Sequence, residues 1–361
     1  MKYIRMKLPY LILFLVILGC KQNPKFNFQT HSIDKSRLDL FFNSLELTDN
    51  RMLSISVYSN GNEVYKRSIG FSDVSKGVRP NELTKYRIGS ISKTFTATII
   101  MQLIDELKLS LDTPLNKFFP QIVNSEKITV ELLLRHHSGL FDITRDKDIN
   151  SWIFKTQTRE QMLDRFIKNS SVFEPDERTE YSSTNYLLLT YIAEEIENKS
   201  YAQILESRII EPLELKRTEY GKKINTDDNE ALSYSKEWYD WELEPETNMS
   251  APSGAGALVS TPSEVNIFIN SLFSRKLVSN ASFYKMIDFR KKTGMGLFKY
   301  SFRHVGGIGH GGNIDGFRSI VVYFPKEKFS VTILSNGLTT SITSLLSLFL
   351  DELREALIEN A

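Results

Sequence analysis

The chain has 361 residues, of which 41% are hydrophobic and 25% are charged, a composition typical of globular proteins. Its formal net charge is +1 and it contains no long basic run, so nothing in the charge pattern points to nucleic acid as a partner. A chain of this length exceeds what a single compact core usually accommodates, and we therefore expect two lobes.

The N-terminus has the features of a bacterial export segment. Three basic residues among the first seven precede an apolar run at residues 8–18, which is too short to span a bilayer. The run ends in ILGC, which resembles a lipobox, so Cys20 would be lipidated and become the first mature residue. A buried helix with a chance cysteine is the alternative, but the flanking residues favour export. We expect a lipoprotein signal peptide at 1–19, a lipidated tether at 20–40, and a lipid-anchored protein of the cell envelope.

A β-hairpin and a helix are predicted next. Residues 51–59 and 62–70 are rich in strand-forming side chains and flank Asn60-Gly61, a strong signal for a two-residue hairpin turn. The following segment TFTATIIMQLIDELKLS carries apolar residues at helical spacing. Cys20 is the only cysteine, so the chain can form no internal disulfide and has no cysteine nucleophile after residue 20.

The middle of the chain is mainly helical and its end returns to β-structure. Four segments between about residues 125 and 220 each have a helical pattern with a polar or glycine exit. Residues 317–325 and 328–336 are β-branched and aromatic, which predicts two strands, and an amphipathic helix is predicted at about 341–358.

This order of elements predicts an α+β fold. Strands from both ends of the chain would form one antiparallel sheet flanked by helices, with a mostly helical insert as a second lobe. We expect one domain at residues 41–358, in which the α/β lobe covers about 41–110 and 255–358 and the helical lobe about 111–254.

The segment YRIGSISKTFTA places Ser90 and Lys93 three residues apart where the first long helix begins. Residues at this spacing share one face, so the hydroxyl could reach the amine, and the N–H groups at a helix start suit an oxyanion. A lysine acts as a base only if burial or a nearby positive charge lowers its pKa. The simpler alternative is that Ser90 or Ser92 caps the helix and Lys93 is solvated.

Further segments occur in an order that identifies a family. They are LSLDTPLNKFFP, ITVELLLRHHSGL, FEPDERTEYSSTNYLLLTYIAEEI, SGAGALVSTPSEV and GHGGNIDGFRSIVVYFPKEKFSVTILSN. With the preceding hairpin and S-x-x-K, this set resembles the serine β-lactamase and penicillin-binding protein superfamily. The resemblance is to the class C-like branch, which includes D-alanyl-D-alanine carboxypeptidase-like enzymes, and it covers about residues 45–357.

The resemblance implies roles for four residues. Ser90 would be the nucleophile, Lys93 its proton-handling partner, and Tyr181 the tyrosine that shuttles protons, with a phenol pKa lowered by a nearby ammonium. Without this context, Tyr181 could equally be an aromatic anchor at a helix start. Ser183 stands where the family usually has Asn and has a shorter side chain with one proton to donate, which puts efficient β-lactam turnover in doubt.

The third motif of the family is assigned to His310 rather than to the K-T-G at 292–294. Two strands and a helix should follow this motif, and counting back from the end of the chain leads to GHGG. His310 would supply a donor, and positive charge when protonated, and Gly312 would let substrate approach the strand. The N–H of Asn313 would form an oxyanion hole with that of Ser90. The alternative is a flexible glycine-rich turn with an idle histidine.

These observations predict a serine hydrolase that acts through an acyl-enzyme on an amide, peptide or ester. Candidate substrates are D-Ala-D-Ala ends, β-lactams and small esters. No metal or organic cofactor is expected, since H-E-x-x-H is absent and the adjacent His136 and His137 cannot both face one ion from a helix. The alternative, which Ser183 keeps open, is a penicillin-recognising sensor that acylates without efficient turnover. A structural lipoprotein with a dead site is a weaker third hypothesis.

Overall fold

The structure is a computed structural model that describes residues 26, 28, 31–49, 51–169, 171–237 and 240–359. The predicted signal peptide and Cys20 lie outside these residues. Within the described part of the chain, no helix combines the length and the apolar character needed to cross a bilayer.

The described residues form thirteen strands. They are β1 (His31–Ile33), β2 (Met52–Ser59), β3 (Asn62–Ile69), β4 (Tyr86–Arg87), β5 (Glu219–Tyr220), β6 (Tyr234–Glu237), β7 (Asp240–Leu243), β8 (Leu258–Ser260), β9 (Phe298–Ser301), β10 (Gly306–Ile314), β11 (Phe317–Phe324), β12 (Phe329–Gly337) and β13 (Leu357–Glu359).

Eleven α-helices occur in the same residues. They are α1 (Lys35–Asp49), α2 (Ser92–Asp105), α3 (Val130–Leu134), α4 (Arg159–Lys168), α5 (Ser183–Glu197), α6 (Tyr201–Leu205), α7 (Glu211–Leu213), α8 (Ser253–Gly256), α9 (Pro262–Phe273), α10 (Asn280–Met286) and α11 (Ile342–Glu355). A π-helical turn at Glu206–Ile210 joins α6 to α7, and a 3-10 turn at Gly89–Ile91 leads directly into α2.

The main sheet has six antiparallel strands in the order β3-β2-β12-β11-β10-β9. β2, from the start of the domain, pairs with β12, from its end, with Ile55 opposite Ile333. The prediction that strands from both ends of the chain form one antiparallel sheet is therefore confirmed. The helices α3 to α7 all lie between residues 111 and 254, inside the predicted insert.

The predicted hairpin is also confirmed. β2 and β3 are joined by Asn60 and Gly61, whose φ angles are +50° and +82°. Two successive residues with positive φ match the turn that fits the right-handed twist of paired strands. Asn and Gly adopt this conformation at low cost because Asn tolerates it and Gly has no Cβ.

The sheet separates two hydrophobic clusters. On one face, Val322 packs with Phe42 of α1 and Phe349 of α11, whose rings lie 5.6 Å apart. The preceding residue of the strand, Val321, points to the opposite face, as the alternation of a strand requires, and joins the cluster formed with α2 and α9. Helix α9 packs on the sheet, and α2, which follows Ser90, is joined to it by the stacked rings of Phe95 and Phe268.

Two terminal predictions need correction. Residues 31–40, expected within the tether, form β1 and the start of α1, because Leu38 and Phe42 lie one turn apart and are both fully buried. The helix predicted at 341–358 ends at Glu355. The Ala356 carbonyl then accepts a hydrogen bond from the Asp34 N–H at 2.8 Å, and β13 pairs with β1 instead of continuing the helix.

Candidate active site

Ser90 lies in the 3-10 turn before α2, where strand β10 passes against the backbone. Gly89 has φ +50°, and a Cβ there would lie 3.0 Å from the Asn313 nitrogen. A Cβ on Gly312 would lie 2.9 Å from the Ser90 nitrogen. Because both glycines lack side chains, the N–H groups of Ser90 and Asn313 come close together beside the Ser90 hydroxyl.

Lys93 lies one helical turn after Ser90 and is buried, with 1% of its surface exposed. Its Nζ is 3.1 Å from the Ser90 Oγ and donates a hydrogen bond to the Ala255 carbonyl at 2.7 Å. Burial lowers the pKa of Lys93 to about 7, and the charge of the Asp142 carboxylate opposes this shift. The alternative of a solvated lysine is therefore wrong, and near neutral pH part of this amine is free to accept the Ser90 proton.

Tyr181 approaches the same hydroxyl from the N-terminal side of α5. Its hydroxyl donates to the Ser90 Oγ at 2.8 Å. Its ring stacks on His136 at a centroid distance of 4.5 Å, and the His136 Nδ1 accepts a hydrogen bond from the Ser182 N–H at 3.2 Å. His136 thus positions Tyr181 from within the core, and burial keeps the pKa of His136 well below its usual value.

The expected lowering of the Tyr181 pKa is not found. Burial raises the pKa of Tyr181 above its usual value, and the hydrogen bonds with Ser90 and Ser183 only partly oppose this. Desolvation of the phenolate is the main cause, and the charge of the Asp142 carboxylate acts in the same direction. Tyr181 is therefore protonated at neutral pH and suited to donate a proton.

Ser183 begins α5 and brings a carboxylate that the sequence analysis missed. Its N–H donates to the Asp142 Oδ1 at 3.0 Å, and the same oxygen accepts from the Thr144 N–H at 3.2 Å. Asp142 caps the 3-10 turn Ile143–Arg145 and lines the cleft beside Ser90. The sequence feature that could have indicated it is its position two residues after the S-G-L at 138–140.

His310 lies in the middle of β10, opposite Val321 of β11, so the alternative of a flexible turn is wrong. Its Nδ1 is 2.6 Å from the Gly311 carbonyl oxygen, which identifies Nδ1 as the protonated nitrogen. Nε2 is buried and has no hydrogen-bond partner among the described residues. Burial lowers the pKa of His310 to about 3, with the charge of Lys93 acting in the same direction.

The expectation of a positively charged His310 donor therefore needs correction. The ring is neutral at physiological pH and presents an acceptor nitrogen at Nε2. A charged imidazolium here would lack solvent and lie near the Lys93 amine, and both effects disfavour the charged form. The K-T-G at 292–294 lies in the turn between α10 and β9, where Thr293 pairs with Arg290. The triplet is thus outside β10, as the sequence analysis expected.

Two cavities meet at Ser90. One, the more polar of the two, is lined by Tyr181, His310, Arg318 and the residues at the start of α11. The other is largely apolar and lies between the 3-10 turns at 143–153, α5 and the end of β10. Ser90 lines both, so a carbonyl bound at this hydroxyl has different surroundings on its two sides.

One cluster of carboxylates has the spacing of a cation site. Oxygens of Glu219, Asp228 and Glu230 come together, but the buried Lys85 ammonium lies between them. It contacts the Glu219 carboxylate and lies 2.7 Å from Asp228 and 3.1 Å from Glu230. This cluster is a salt-bridge network around Lys85, and its charges are engaged without a metal ion.

The fold is of the β-lactamase type, and a serine, a lysine and a tyrosine meet at the start of its first long buried helix. Residues 47–344 match the model of the Beta-lactamase family, and the chain belongs to that family. The resemblance stated from the ordered motifs is therefore confirmed, as is the predicted fold class.

Relatives and solved structures agree with this assignment. Protein flp of Staphylococcus aureus (strain MW2) is 25% identical over 298 residues, which cover 78% of this chain and 59% of flp. The teichoic acid D-alanine hydrolase of Staphylococcus aureus is 27% identical over 232 residues, which cover 63% of this chain and 55% of that protein. The chain thus spans less than two thirds of the length of these relatives.

Two solved structures have the same fold. The D-amino acid amidase from Ochrobactrum anthropi SV3 complexed with D-phenylalanine superposes with a TM-score of 0.78 at 23% identity and covers 89% of this chain and 98% of its own. The octameric penicillin-binding protein homologue from Pyrococcus abyssi superposes with a TM-score of 0.76 at 26% identity. That match covers 90% of this chain and 79% of the homologue.

Proposed function

We propose that this protein hydrolyses an amide, peptide or ester through an acyl-enzyme on Ser90. The observation that carries the proposal is the convergence of two groups on one oxygen. The Ser90 Oγ lies 3.1 Å from an amine of pKa about 7 and 2.8 Å from a protonated phenol. A hydroxyl with both a base and an acid at hydrogen-bond distance is equipped for nucleophilic catalysis.

The proton transfers balance within these three residues. Neutral Lys93 takes the Ser90 proton as the Oγ attacks the carbonyl carbon, and the N–H groups of Ser90 and Asn313 stabilise the oxyanion. Tyr181 then donates its proton to the departing nitrogen or oxygen as that bond breaks, and the Lys93 ammonium returns a proton to Tyr181. Water attacks the acyl-enzyme by the reverse sequence, and Ser90 recovers its proton.

The substrate class we propose is an amide or ester of a D-amino acid or of a related acyl group. The support comes from the names of two similar proteins, a teichoic acid D-alanine hydrolase and a D-amino acid amidase. One is named for an alanine that it releases and the other for the amides that it cleaves. Both reactions require the acyl transfer for which the Ser90 site is built.

Intact-mass spectrometry of a penicillin adduct and an ester-cleavage assay test this proposal. Residues 21–361 are mixed with a fluorescent penicillin and, separately, with a simple 4-nitrophenyl ester, beside the Ser90→Ala variant. We expect ester cleavage by the parent protein and none by the variant, because Ser90 carries the hydroxyl that lies within hydrogen-bond distance of both Lys93 and Tyr181. Cleavage that persists in Ser90→Ala would contradict the proposal.

A penicillin-recognising sensor is the second candidate, and Ser183 is the observation that favours it. The Ser183 side chain hydrogen-bonds Tyr181 but is too short to hold a substrate as the amide of an Asn would. This candidate predicts a penicillin adduct on Ser90 that persists for hours. It also predicts that Ser183→Asn shortens the adduct lifetime, whereas an unchanged lifetime would count against a role for Ser183.

We also propose that the protein is a lipoprotein held in the cell envelope through Cys20, with no nucleic-acid partner. The support is the order of basic residues, apolar run and cysteine in the first 20 residues. Expression of the full chain beside Cys20→Ser tests it. We expect the parent in the membrane fraction with the mass of a lipidated Cys20, and the variant without lipid. An unmodified parent would contradict anchoring.

A further inference from the structure

The apolar cavity beside Ser90 has a volume of about 170 Å³. It opens onto the nucleophile, since Gly89, Ser90 and Lys93 form part of its wall. The rest of the wall is dominated by large apolar side chains from three separate parts of the chain, namely Ile143, Ile149, Trp152, Ile153, Leu187 and Ile314. Such a wall favours apolar surface and disfavours unpaired polar groups.

The positions of the proton-transfer groups determine which part of a substrate enters this cavity. Tyr181 and His310 line the polar cavity only, Lys93 lines the apolar cavity only, and Ser90, Ser183 and Asn313 line both. Because Tyr181 protonates the leaving group, that group departs on the polar side. The substituent on the acyl carbon must then extend into the apolar cavity.

The charge at the cavity wall is already engaged. The Asp315 carboxylate, 3% exposed, lies 2.9 Å from a nitrogen of Arg87 and accepts the Thr247 hydroxyl at 2.6 Å. Arg87 is itself fully buried and also contacts the Glu246 carboxylate. Since Asp315 is paired on both oxygens, it offers no free charge to a charged acyl substituent.

The wall is also held in place before any substrate binds. The Trp152 indole N–H donates to the Asp146 carboxylate at 3.1 Å, and the Arg165 guanidinium lies over its ring at 4.5 Å. The Ile153 carbonyl accepts a hydrogen bond from the Asn248 N–H at 2.9 Å. These contacts join the turn at 149–153 to α4 and to the segment before α8, so the cavity is preformed.

We propose that this cavity is an acyl-side specificity pocket that selects a large apolar substituent of about the size of a phenyl ring. The inference rests on the proposed function and specifies its substrate. An apolar cavity of about 150 Å³ can accept benzene, so the space here suits one ring. The methyl group of an alanyl substrate would leave most of it empty and would bury far less apolar surface.

Two esters with the same leaving group test the pocket. We compare kcat/KM for 4-nitrophenyl phenylacetate and 4-nitrophenyl acetate, each divided by its rate of hydrolysis by hydroxide. The phenylacetyl ester should be preferred roughly tenfold or more, as expected when a pocket gains a well-packed apolar group. Ile149→Trp, which fills the cavity from its partly exposed edge, should abolish the preference for the phenylacetyl ester.

Ile167→Trp is the matched control, because Ile167 is exposed on α4, outside the cavity wall, and receives the same change. It should retain the parent preference. If Ile149→Trp does not fold by circular dichroism, Ile153→Phe replaces it. Ser90-dependent hydrolysis of both esters without a preference, or a preference unaltered in a folded pocket variant, would overturn the pocket.

A binding measurement separates this inference from the proposed function. Phenylacetamide and acetamide are titrated into Ser90→Ala, with and without Ile149→Trp, and followed by NMR. Saturable phenylacetamide binding that Ile149→Trp abolishes supports the pocket even if neither ester is cleaved, an outcome in which only the proposed function fails. Equal or absent binding of the two amides would overturn the pocket whatever the ester result.

Discussion

Gly312 and Ile88 are in such close contact that a Cβ on Gly312 would lie 2.2 Å from the Ile88 carbonyl oxygen. Ile88 leads directly into the turn that carries Ser90, and the same carbonyl accepts the Ser319 hydroxyl at 2.7 Å. The close approach of β10 to the turn that carries Ser90 therefore requires a glycine at position 312.

The first prediction is that Gly312→Ala pushes β10 away from Ser90. We expect kcat/KM to fall by about 100-fold, because small displacements at a catalytic group are costly, and stability to fall by about 1–3 kcal/mol from overpacking. Ester hydrolysis and urea unfolding measure the two effects. Gly306→Ala is the control on the same strand, where the nearest atom to a new Cβ is 3.8 Å away. Equal effects of the two changes would contradict the argument.

The second prediction concerns the pH dependence of catalysis. Because burial lowers the pKa of Lys93 to about 7, kcat/KM should rise as pH increases through 7 and then level off, since only the neutral amine accepts a proton. Steady-state hydrolysis of a 4-nitrophenyl ester from pH 5 to 9 measures this. Lys93→Arg, which keeps its charge throughout this range, should lose more than about 1,000-fold in activity. A rate that falls above pH 7 would be inconsistent with Lys93 as the base.

The third prediction is that the buried Lys93 destabilises the fold near neutral pH. The pKa of Lys93 is about 7 in the folded protein and 10.5 for an ordinary solvated lysine, so between these values the unfolded chain binds more protons and stability rises with pH. Lys93→Met should therefore be more stable by about 2 kcal/mol at pH 7, after the lost hydrogen bond to Ala255 is counted. The gain should shrink toward pH 10. Urea unfolding of both proteins across this range tests the sign, and a gain that grows with pH would refute it.

The fourth prediction separates the hydroxyl of Tyr181 from its ring. Tyr181→Phe removes the proton donor but keeps the ring that stacks on His136, so we expect a fall in kcat of about 10²- to 10⁴-fold with little loss of stability. Burst kinetics and thermal unfolding give the two readouts. The control is Tyr284→Phe, since Tyr284 is an exposed tyrosine on α10. Near-parent activity of Tyr181→Phe would contradict the role of Tyr181 as the proton donor.

The fifth prediction is that His310 stays neutral. Because burial lowers the pKa of His310 to about 3, its imidazole ¹⁵N signals should keep the pattern of a neutral ring between pH 5 and 8. The signals are assigned by their absence in His310→Asn. A titration step near pH 6.5 would show that the ring is solvated and would restore the expectation of a charged donor.

Several local features were predictable because they depend on neighbouring residues. Asn60-Gly61 specified a hairpin turn because the φ angles it needs are set within two residues. Ser90 and Lys93 were expected on one helix face because the spacing of a helix is local. The predicted tether extends too far, to residue 40. The burial of Leu38 and Phe42 of α1 depends on packing against the sheet, which the local sequence does not reveal.

The order of the motifs identified the family, and it also indicated which distant residues would meet. That order alone predicts that Tyr181 and the GHGG segment lie beside Ser90. It also predicts that the K-T-G at 292–294 is not the third motif. Asp142 was missed because its position two residues after S-G-L does not by itself show that its carboxylate lines the cleft. Its two N–H partners belong to its own turn and to the start of α5, and only the fold brings them together.

Sequence patterns were enough to predict the helix start with its serine and lysine, the hairpin, the antiparallel sheet and the family. Tertiary structure alone decided the protonation states of Lys93, Tyr181 and His310 and the shape of the apolar cavity. The physical reason is that pKa values and cavities depend on desolvation by groups far along the chain. Ala255, which binds the Lys93 amine, lies 162 residues away from it in sequence.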